Sequence, residues 1–542
     1  MDPNAASFQF DPNAVSFEFS PTPAPQPAQP EPTPEPTPEP AQLEPTPEPT
    51  PEPESEQPKE EEKQPEAEAE PEKTVAVSNA LPANELREFE AHDEREHLNL
   101  VFIGHVDHGK STMSGRIMVS SGQIDRRVIE KFERDAKANN RESWWIAYIL
   151  DTSDEERAKG KTVEVGRAMF DTPNKRYTIF DAPGHKDYVP NMIRGASQAD
   201  VGVLVVSARN KEFEAGFDRG GQTREHTLLA RTIGITRLVV AVNKMDVVDW
   251  SKERYEHIVK KMSTFLKACG YGKSDIWFVP VAALKNDGEN NIRDSVDPAV
   301  CDWWQSYNKK KAGLSLMQTL DSLPLLERQH DAPLRVPIMS SYPDQGKVFA
   351  LGKVEAGRIA VGDRVVVSPN PSALAETKVA TVVGISVDEQ EVEGARCGEN
   401  VDLALVGVDS SDVDQGCVLC APDKPSPSVM KLKAQINVLE LPEHKPVIAE
   451  GYTAVLHCHT AAVECELVRV CYMVDRKTGK KKRPSAALMR GNMAVVQINV
   501  SQPIAVETFE AFPQLGRFTL RDESLTTVIG RILAVQEAAP SS

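Results

Sequence analysis

The sequence of 542 residues predicts a multidomain protein: an α/β domain with a mainly parallel sheet, then two antiparallel β-barrels, behind a disordered Pro/Glu-rich N-terminal tail. Proline and glutamate dominate the start of the chain. Short apolar runs alternate with helical stretches in the middle, and β-branched runs separated by turn residues fill the C-terminal part. The expected segments are a docking motif at 1–20, a linker at 21–78, a connecting helix at 79–97, the α/β domain at 98–328, and barrels at 329–425 and 426–537.

The N-terminal tail carries most of the acidity of the chain. Residues 1–73 contain 20 of the 41 prolines and 18 acidic residues against 3 lysines, so they hold −15 of the net charge of −19 and leave −4 elsewhere. Such a segment cannot bury enough apolar area to fold and is expected to stay extended. The nearly neutral remainder argues against tight, non-specific binding of nucleic acid.

A short tandem repeat precedes the proline-rich stretch. Residues 2–10 recur as residues 11–19, each copy reading Asp-Pro-Asn-Ala followed by a phenylalanine pair. Aromatic side chains on a disordered tip are typical of a docking motif, with Phe8 and Phe17 as the expected anchors. The alternative is a chance duplication of low-complexity sequence.

Alternating strand and helix signals define the α/β domain. Asn84 is expected to cap a helix over Glu85–Arg95. Short apolar strands follow, with helical stretches between several of them, which indicates a mainly parallel sheet covered on both faces. The predicted strands are Leu98–Ile103, Tyr177–Phe180, Val201–Val206, Leu238–Val242 and Ile276–Val281.

The pattern becomes all-β after Asp331. Strands separated by turn residues continue to about Ala421, and the proline-rich stretch Pro422–Pro427 reads as a linker. A second all-β segment runs from about Lys431 to Val535. Each segment has the length of a small barrel.

A phosphate-binding loop follows the first predicted strand. Gly104 to Ser111 match the pattern G-x-x-x-x-G-K-[ST], and a helical stretch comes next. Glycines let backbone N–H groups surround a phosphate, Lys110 supplies positive charge, and Ser111 is the type of residue that binds Mg²⁺. By itself this motif does not exclude ATP as the bound nucleotide. The nucleotide-binding residues expected here are Gly104, His105, Val106, Asp107, His108, Gly109, Lys110, Ser111 and Thr112.

Two further motifs follow predicted strands. Asp181 and Gly184 stand in Asp-Ala-Pro-Gly, where the acid is suited to hold a Mg²⁺-bound water and the glycine to approach a γ-phosphate, although an ordinary turn reads the same way. In Asn243-Lys244-Met-Asp246, the carboxylate accepts the two adjacent donors of guanine, the lysine lies along the purine, and the asparagine ties loops together. The agreement of three motifs indicates a guanine-nucleotide site.

Two residues near these motifs are candidates for the reaction. Thr162 lies between the phosphate loop and Asp181, where a hydroxyl completes a Mg²⁺ shell when a γ-phosphate is present; alone, it reads as a strand threonine. His185 directly follows Gly184, so its imidazole is placed to orient an attacking water, whereas a lone histidine is more often structural.

Three other patterns are interpreted as structural. The pairs Cys417/Cys420 and His457/His459 have the spacing of metal ligands. Both lie in segments with the pattern of β-strands, and no second pair of ligand residues completes a site. The basic run 476–483 reads as a solvated hairpin tip, with contact to ribosomal RNA as the alternative.

With these residues placed, the chain resembles the translational GTPase family, which includes elongation factors, from about Leu98 to Val535. The matching stretches are residues 104–111, 181–185, 221–226, 243–246 and 516–522. Three others, residues 159–168, the helical insert 131–151 and residues 507–518, resemble the eukaryotic class-II release factors within that family. The resemblance implies a P-loop GTPase domain followed by two barrels.

The resemblance also assigns residues. It implies that the segment Ala282, Ala283 and Leu284 supports guanine, with the backbone N–H at Ala282 reaching O6 although the family usually has serine there. His108 also departs from release factors, which usually carry a small residue at that position. Val106 is expected beside His185 as an apolar gate. The metal set is Ser111, Thr162 and, through water, Asp181, and the partner-docking residues in the third domain are Arg517, Phe518, Arg521 and Asp522.

The implied function is ribosome-stimulated hydrolysis of GTP to GDP and phosphate in translation termination, with Mg²⁺ as cofactor. The implied partners are a class-I peptide release factor, the ribosome and, through the N-terminal repeat, poly(A)-binding protein; no membrane is expected, and the chain alone should be a monomer. The scattered cysteines fit a cytoplasmic protein. The alternatives are a ribosome-rescue GTPase, an elongation factor delivering aminoacyl-tRNA, and a nucleotide-binding scaffold that does not hydrolyse.

Overall fold

The computed structural model describes residues 89, 93–151, 156–157, 162–218, 221–307, 313–369, 378–475 and 478–537. The N-terminal repeat with Phe8 and Phe17, the proline-rich linker and most of the predicted connecting helix lie outside these residues. Within the described residues, no helix is long and apolar enough to cross a membrane.

A six-stranded sheet organises the α/β domain. Its strands are β1 (Glu96–Ile103), β2 (Gly166–Asp171), β3 (Lys175–Asp181), β4 (Val201–Ser207), β5 (Arg237–Asn243) and β6 (Ile276–Pro280). Their order is β2-β3-β1-β4-β5-β6, and every pairing is parallel except that of β2 with β3. The mainly parallel sheet was predicted, whereas β2, an antiparallel edge strand, was not.

Helices cover the sheet and bury its strands. Every residue of β4 is buried, as expected for a strand with both faces covered. The α-helices are Lys110–Ser120, Arg126–Ala138, Val189–Ser197, Glu212–Phe217, Gln222–Ile233, Lys252–Ala268 and Leu316–Asp321. Short 3₁₀ helices lie at Glu142–Trp144, Ala147–Ile149, Lys186–Tyr188, Met245–Val248, Lys273–Asp275 and Trp304–Ser306.

The first barrel closes by antiparallel pairing. Arg364–Ser368 pairs with Val379–Val387 on one side and with Val418–Cys420 on the other, which joins the two ends of the sheet. Its strands are Arg335–Asp344, Lys347–Lys353, Arg358–Ala360, Arg364–Ser368, Val379–Val387, Gln390–Val392, Gly394–Arg396, Asn400–Val406 and Val418–Cys420.

The second barrel closes in the same way. Tyr452–Cys458 pairs with both Ala461–Val474 and Arg517–Asp522. Along Ser428–Val438, buried residues largely alternate with less buried ones, because successive side chains point into and out of the barrel. Its strands are Ser428–Val438, Ile448–Ala449, Tyr452–Cys458, Ala461–Val474, Lys481–Lys482, Ala487–Leu488, Met493–Ala505, Arg517–Asp522 and Leu525–Glu537.

The predicted helix over Glu85–Arg95 does not reach Arg95, so that end of the prediction is wrong. Residues 93–95 are not helical, and β1 begins at Glu96. The carboxylate of Asp93 accepts a hydrogen bond from the backbone N–H of Arg95 at 2.8 Å. This local side-chain bond stabilises a turn in place of a helix end.

A buried charge cluster fixes the first barrel to the α/β domain. Asp200, just before β4, pairs with Arg328 at 2.8 Å and with Lys353 of the barrel at 2.9 Å. Its other oxygen accepts the backbone N–H of Asn99 at 3.0 Å. Burial alone would raise the pKa of Asp200, but the two cations outweigh it and hold that pKa well below its usual range.

The second barrel contacts both other domains. Arg521 pairs with Glu225, on the helix Gln222–Ile233, at 3.1 Å. Arg335 of the first barrel pairs with Glu507 of the second at 2.6 Å. A small apolar cluster lies between the barrels and consists of Ala356, Val418, Cys420, Ala505, Phe512 and Leu515.

We expect Asp200→Ala to lower the free energy of unfolding by about 3–5 kcal/mol, because Arg328 and Lys353 would lose the anion that compensates their burial. Urea denaturation, followed through the first transition, measures the change. The control is Asp171→Ala, which removes a half-exposed partner of Arg95 and should cost less than about 1 kcal/mol. Equal effects of the two substitutions would contradict a stabilising role for the cluster.

Candidate functional site

A cavity of about 530 Å³ lies where β1, β3 and β5 end. The phosphate loop forms one wall, and the segment from Ser143 to Asp151 and the start of the helix after β4 form others. The lining residues are Val106, Asp107, Gly109, Lys110, Ser111, Thr112, Ser143, Trp144, Ala147, Asp151, Thr162, Gly184, His185, Arg209, Glu212, Lys244 and Leu284.

Close backbone approach explains two glycines of the motifs. Gly109 has φ +90, and a Cβ there would lie 2.5 Å from Nδ2 of Asn243. A Cβ on Gly184 would collide with Nζ of Lys110 and lie 3.1 Å from the backbone N of Val106. A larger residue at either position would therefore displace the side chain of Asn243 or Lys110.

Lys110 is buried at the centre of the loop. Its Nζ donates to the carbonyl oxygen of His105 at 3.1 Å. Burial lowers the pKa of Lys110, and the nearby carboxylate of Asp181 partly opposes that shift. The ammonium is thus held at the cavity wall, where it is placed to bind an anion.

An oxygen-rich cluster lies beside Lys110. Oγ of Ser111 is 3.0 Å from Oγ1 of Thr162, and Thr162 donates to Oδ1 of Asp151 at 3.2 Å. Neither carboxylate oxygen of Asp181 has a hydrogen-bond partner within the described part of the chain, although both are buried. Burial raises the pKa of Asp151 to about 7 and that of Asp181 to about 6.

This cluster suits a hard cation. Two carboxylates and two hydroxyls are ligands that Mg²⁺ accepts, and the buried, unpaired oxygens of Asp181 need a positive partner. The structure brings together the three residues predicted for the metal and adds Asp151, which the sequence analysis missed. Its signal was a carboxylate at the end of an apolar run, as at Asp181.

Asn243 joins two loops, which is the arrangement predicted for it. Its Nδ2 donates to the carbonyl oxygen of His108 at 2.9 Å, and its Oδ1 accepts the backbone N–H of Ala283 at 3.1 Å. The side chain is almost fully buried. It therefore ties the phosphate loop to the loop after β6.

The predicted use of the Ala282 backbone N–H is wrong in this structure. That N–H donates to the carbonyl oxygen of Asn290 at 3.0 Å, because the chain folds back after β6. Ala282 and Ala283 are both buried, whereas Leu284 is half exposed and lines the cavity.

The other side of the cavity is formed by Lys244. Its Nζ lies 2.8 Å from Oε2 of Glu212, on the helix after β4. Asp246 is half-buried on the 3₁₀ helix that begins immediately after Lys244. Glu212 was not predicted as a site residue, since no local sequence pattern marks it.

His108 points away from the cavity and is 1% exposed. Its Nδ1 lies 3.2 Å from the carbonyl oxygen of Val205, and its Nε2 lies 3.2 Å from that of Glu212. Burial lowers the pKa of His108 to about 4, so the ring is neutral and donates to only one of the two carbonyls. It connects the phosphate loop to the start of the helix Glu212–Phe217.

His185 and Val106 both face the cavity. The imidazole of His185 is 28% exposed; its Nδ1 accepts the backbone N–H of Asp187 at 3.4 Å and lies 3.2 Å from Oδ2 of the same residue. These two contacts at one ring nitrogen orient the imidazole. The ring centroid of Tyr188 is 5.8 Å away.

One helix links the loop to the second barrel. Nδ1 of His226, in Gln222–Ile233, accepts the backbone N–H of Gly104 at 3.3 Å. The neighbouring Glu225 is the partner of Arg521 described above.

The predicted docking residues of the second barrel are largely engaged inside the chain. Phe518 is 2% exposed beneath Gly530, and Arg521 is 3% exposed. Asp522 accepts hydrogen bonds from Lys445 and Tyr452 at 3.0 and 3.1 Å. The guanidinium of Arg517 lies over the ring of Phe509. These residues build the barrel and its interface with the α/β domain, so Phe518 and Arg521 are not presented to a partner in this conformation.

The patterns interpreted as structural have ordinary partners. Nε2 of His459 lies 2.9 Å from the carbonyl oxygen of Ala505. The thiols of Cys417 and Cys420 donate to the carbonyl oxygens of Asp412 and Val418 at 3.8 and 3.5 Å. Among the described residues, no group of three or more histidine, cysteine or carboxylate side chains is arranged to hold a metal ion.

The three domains match known families. Residues 95–323 match the family described as Elongation factor Tu GTP binding domain, residues 348–420 match Elongation factor Tu domain 2, and residues 431–533 match GTP-eEF1A C-terminal domain-like. Together with the loop geometry at the cavity, these matches define a GTP-binding protein of the translation apparatus. The chain belongs to the translational GTPase family.

Within that family, the chain is similar to proteins named eukaryotic peptide chain release factor GTP-binding subunit. The protein of Kluyveromyces lactis is 42% identical over 82% of this chain and 61% of its own length. That of Schizosaccharomyces pombe is 45% identical over 81% of this chain and 64% of its own length. The chain thus spans less than two thirds of these relatives. Their names confirm the release-factor resemblance found in the motifs.

A solved structure supports the fold alone. The GTPase-like domain of Ski7 from S. cerevisiae, bound to GTP, is 16% identical, covers 81% of this chain and 97% of that chain, and has a TM-score of 0.63. The predicted fold class, a P-loop GTPase domain followed by two antiparallel barrels, is confirmed by the family matches.

We expect His108 to make stability depend on pH. Its folded pKa of about 4 lies below the ordinary 6.5, so between these values the unfolded chain binds a proton that the folded chain does not. The free energy of unfolding should therefore fall as pH drops through this window, by at most about 3 kcal/mol from this residue. Denaturation of wild type and His108→Gln from pH 7 to pH 4 tests this. The variant should lose less stability over that window, and parallel curves would contradict the assignment.

Proposed function

We propose that this chain is the GTPase of translation termination. It binds a class-I peptide release factor, and ribosome-stimulated hydrolysis of GTP couples stop-codon recognition to peptide release. The observation that carries the proposal is the convergence of Lys110, the oxygen cluster and Lys244 on one cavity, in a chain whose relatives are named release factor GTP-binding subunits.

The proposed roles follow from position. Lys110 and the N–H groups of residues 104–112 bind the β- and γ-phosphates, and the N–H of Gly184 approaches the γ-phosphate. Asp246 accepts N1–H and the 2-amino group of guanine, which excludes adenine. Lys244 lies along the purine, Asn243 holds the two loops around it, and Leu284 closes the cavity beside it.

A divalent cation fits the oxygen cluster because the two oxygens of Asp181 are buried and unpaired within the described part of the chain. Ser111 and Thr162 would bind Mg²⁺ directly, and Asp181 and Asp151 would hold it through water. Mg²⁺, when bound, neutralises charge on the phosphate oxygens. Thr162 joins the cluster through its hydroxyl, so its segment would hold one position when a γ-phosphate is present and change position afterwards.

His185 is the proposed catalytic residue. Its imidazole lines the cavity next to Gly184, and Asp187 holds one ring nitrogen, which leaves the ring oriented to position the attacking water. Val106 lies on the same wall as the apolar gate. Because the chemistry requires positioning and not a covalent intermediate, the chain alone should hydrolyse GTP slowly.

The N-terminal repeat remains the proposed docking motif for poly(A)-binding protein. Phe8 and Phe17 are its anchors, and both lie outside the described residues.

We expect His185→Ala to reduce ribosome-stimulated hydrolysis by about 10²–10⁴-fold, because the water would lose its orienting group. GTP affinity should stay within about two-fold, since the side chain is at the edge of the cavity. Single-turnover hydrolysis with ribosomes and the class-I factor measures the first, and titration with GTP measures the second. The control is His257→Ala on the exposed face of the helix Lys252–Ala268. Unchanged hydrolysis would leave a nucleotide-binding scaffold as the better description.

We expect the class-I release factor to raise the affinity for GTP by about 5–150-fold, because coupling between two ligands is reciprocal. Calorimetric titration with GTP and Mg²⁺, with and without the purified factor, measures the gain. The partner of ribosome-rescue GTPases and aminoacyl-tRNA, tested in the same way, should give none. If the release factor has no effect and forms no complex, the chain remains a GTPase but termination is excluded.

A further inference from the structure

Glu212 makes contacts that none of the nucleotide motifs requires. It is the first residue of the helix Glu212–Phe217 and lines the cavity opposite the phosphate loop. Its Oε2 lies 2.8 Å from Nζ of Lys244 and accepts a hydrogen bond from Ser207 at 2.8 Å. Its Oε1 accepts one from Arg209 at 3.0 Å. Three donors, two from the end of β4 and the loop after it and one from the loop after β5, therefore fix one carboxylate.

The backbone at Glu212 is held as firmly as its side chain. Its carbonyl oxygen lies 3.2 Å from Nε2 of His108, in the phosphate loop. Glu214 accepts the backbone N–H of Lys211 at 2.8 Å, which closes the first turn of the same helix. The carboxylate of Glu212 is thus placed relative to both the phosphate loop and the end of β4.

The placement of the Glu212 carboxylate restricts the side chain of Lys244. A lysine side chain loses rotamer entropy when it is immobilised. Here the ion pair fixes the ammonium, and both partners are only about one quarter exposed, so water screens the pair less than at an open surface. The stem of Lys244 is therefore held along the cavity wall before any ligand arrives.

We propose that Glu212 is a positioning residue for the purine. By holding the ammonium of Lys244, it keeps the lysine stem flat against the position of the base and slows dissociation of the nucleotide. This inference rests on the proposed function, since it takes GDP and GTP as the ligands.

The test is the release of fluorescently labelled GDP from the full-length chain, followed by stopped flow. Glu212→Gln keeps the size of the side chain and removes its charge. We expect GDP to dissociate about three- to ten-fold faster, with little change in association. The matched control is Glu253→Gln, which makes the same change at an exposed carboxylate on the helix Lys252–Ala268. It should release GDP at the wild-type rate.

Two readouts test whether Glu212 acts through the stem of Lys244 and not through recognition of the 2-amino group of guanine. Inosine diphosphate lacks the 2-amino group but keeps the purine face, so Glu212→Gln should accelerate its release by the same factor as that of GDP. In a Lys244→Met background, Glu212→Gln should have no further effect, because the ion pair is already absent.

Each outcome decides the inference. An unchanged rate in Glu212→Gln, or the same acceleration with Lys244→Met present, would overturn the role of Glu212 while leaving the proposed function intact. A wild-type chain that binds neither GDP nor GTP would overturn the proposed function itself.

Discussion

Parallel pairing of the central strand Glu96–Ile103 with Lys175–Asp181 on one side and Val201–Ser207 on the other is the constraint on which the site depends. Parallel strands end at the same edge of a sheet, and the crevice forms where the strand order reverses. The phosphate loop leaves the first strand there, and Asp181 ends the second. Segments far apart in the chain thus meet at one end of the sheet. The helices that cover the sheet make this edge the open one.

The parts of the site that the sequence predicts are those in which one local pattern carries the information. A buried apolar run followed by glycines or by Asn-Lys-x-Asp marks both the end of a strand and a ligand-binding loop. Lys110 and Asn243 are therefore predicted together with the strands that position them. Asp151 and Glu212 are not predicted, because their place in the site depends on contacts with Thr162 and Lys244 across the cavity. No spacing within one segment reports such contacts.

The same distinction between local and long-range information applies to the fold. The interior strands are predicted by their continuous apolar runs, whereas Gly166–Asp171 is an edge strand with mixed burial and gives little signal. The position of the barrels relative to the α/β domain cannot be predicted from the sequence, because it depends on ion pairs between separate segments. Asp200 is buried only because Arg328 and Lys353 reach it from the domain boundary and from the barrel. Buried ions tolerate little displacement, so this cluster fixes the barrel in one orientation.

The helix Gln222–Ile233 carries two of the contacts described above at adjacent residues. Glu225 binds Arg521 of the second barrel, and His226 binds the backbone of Gly104 at the start of the phosphate loop. Successive residues of an α-helix point about 100° apart and belong to one hydrogen-bonded backbone. A rotation that carries Glu225 away from the barrel therefore also moves His226 off the loop. Separation of the second barrel from this helix and a change in conformation at Gly104 would therefore be mechanically coupled.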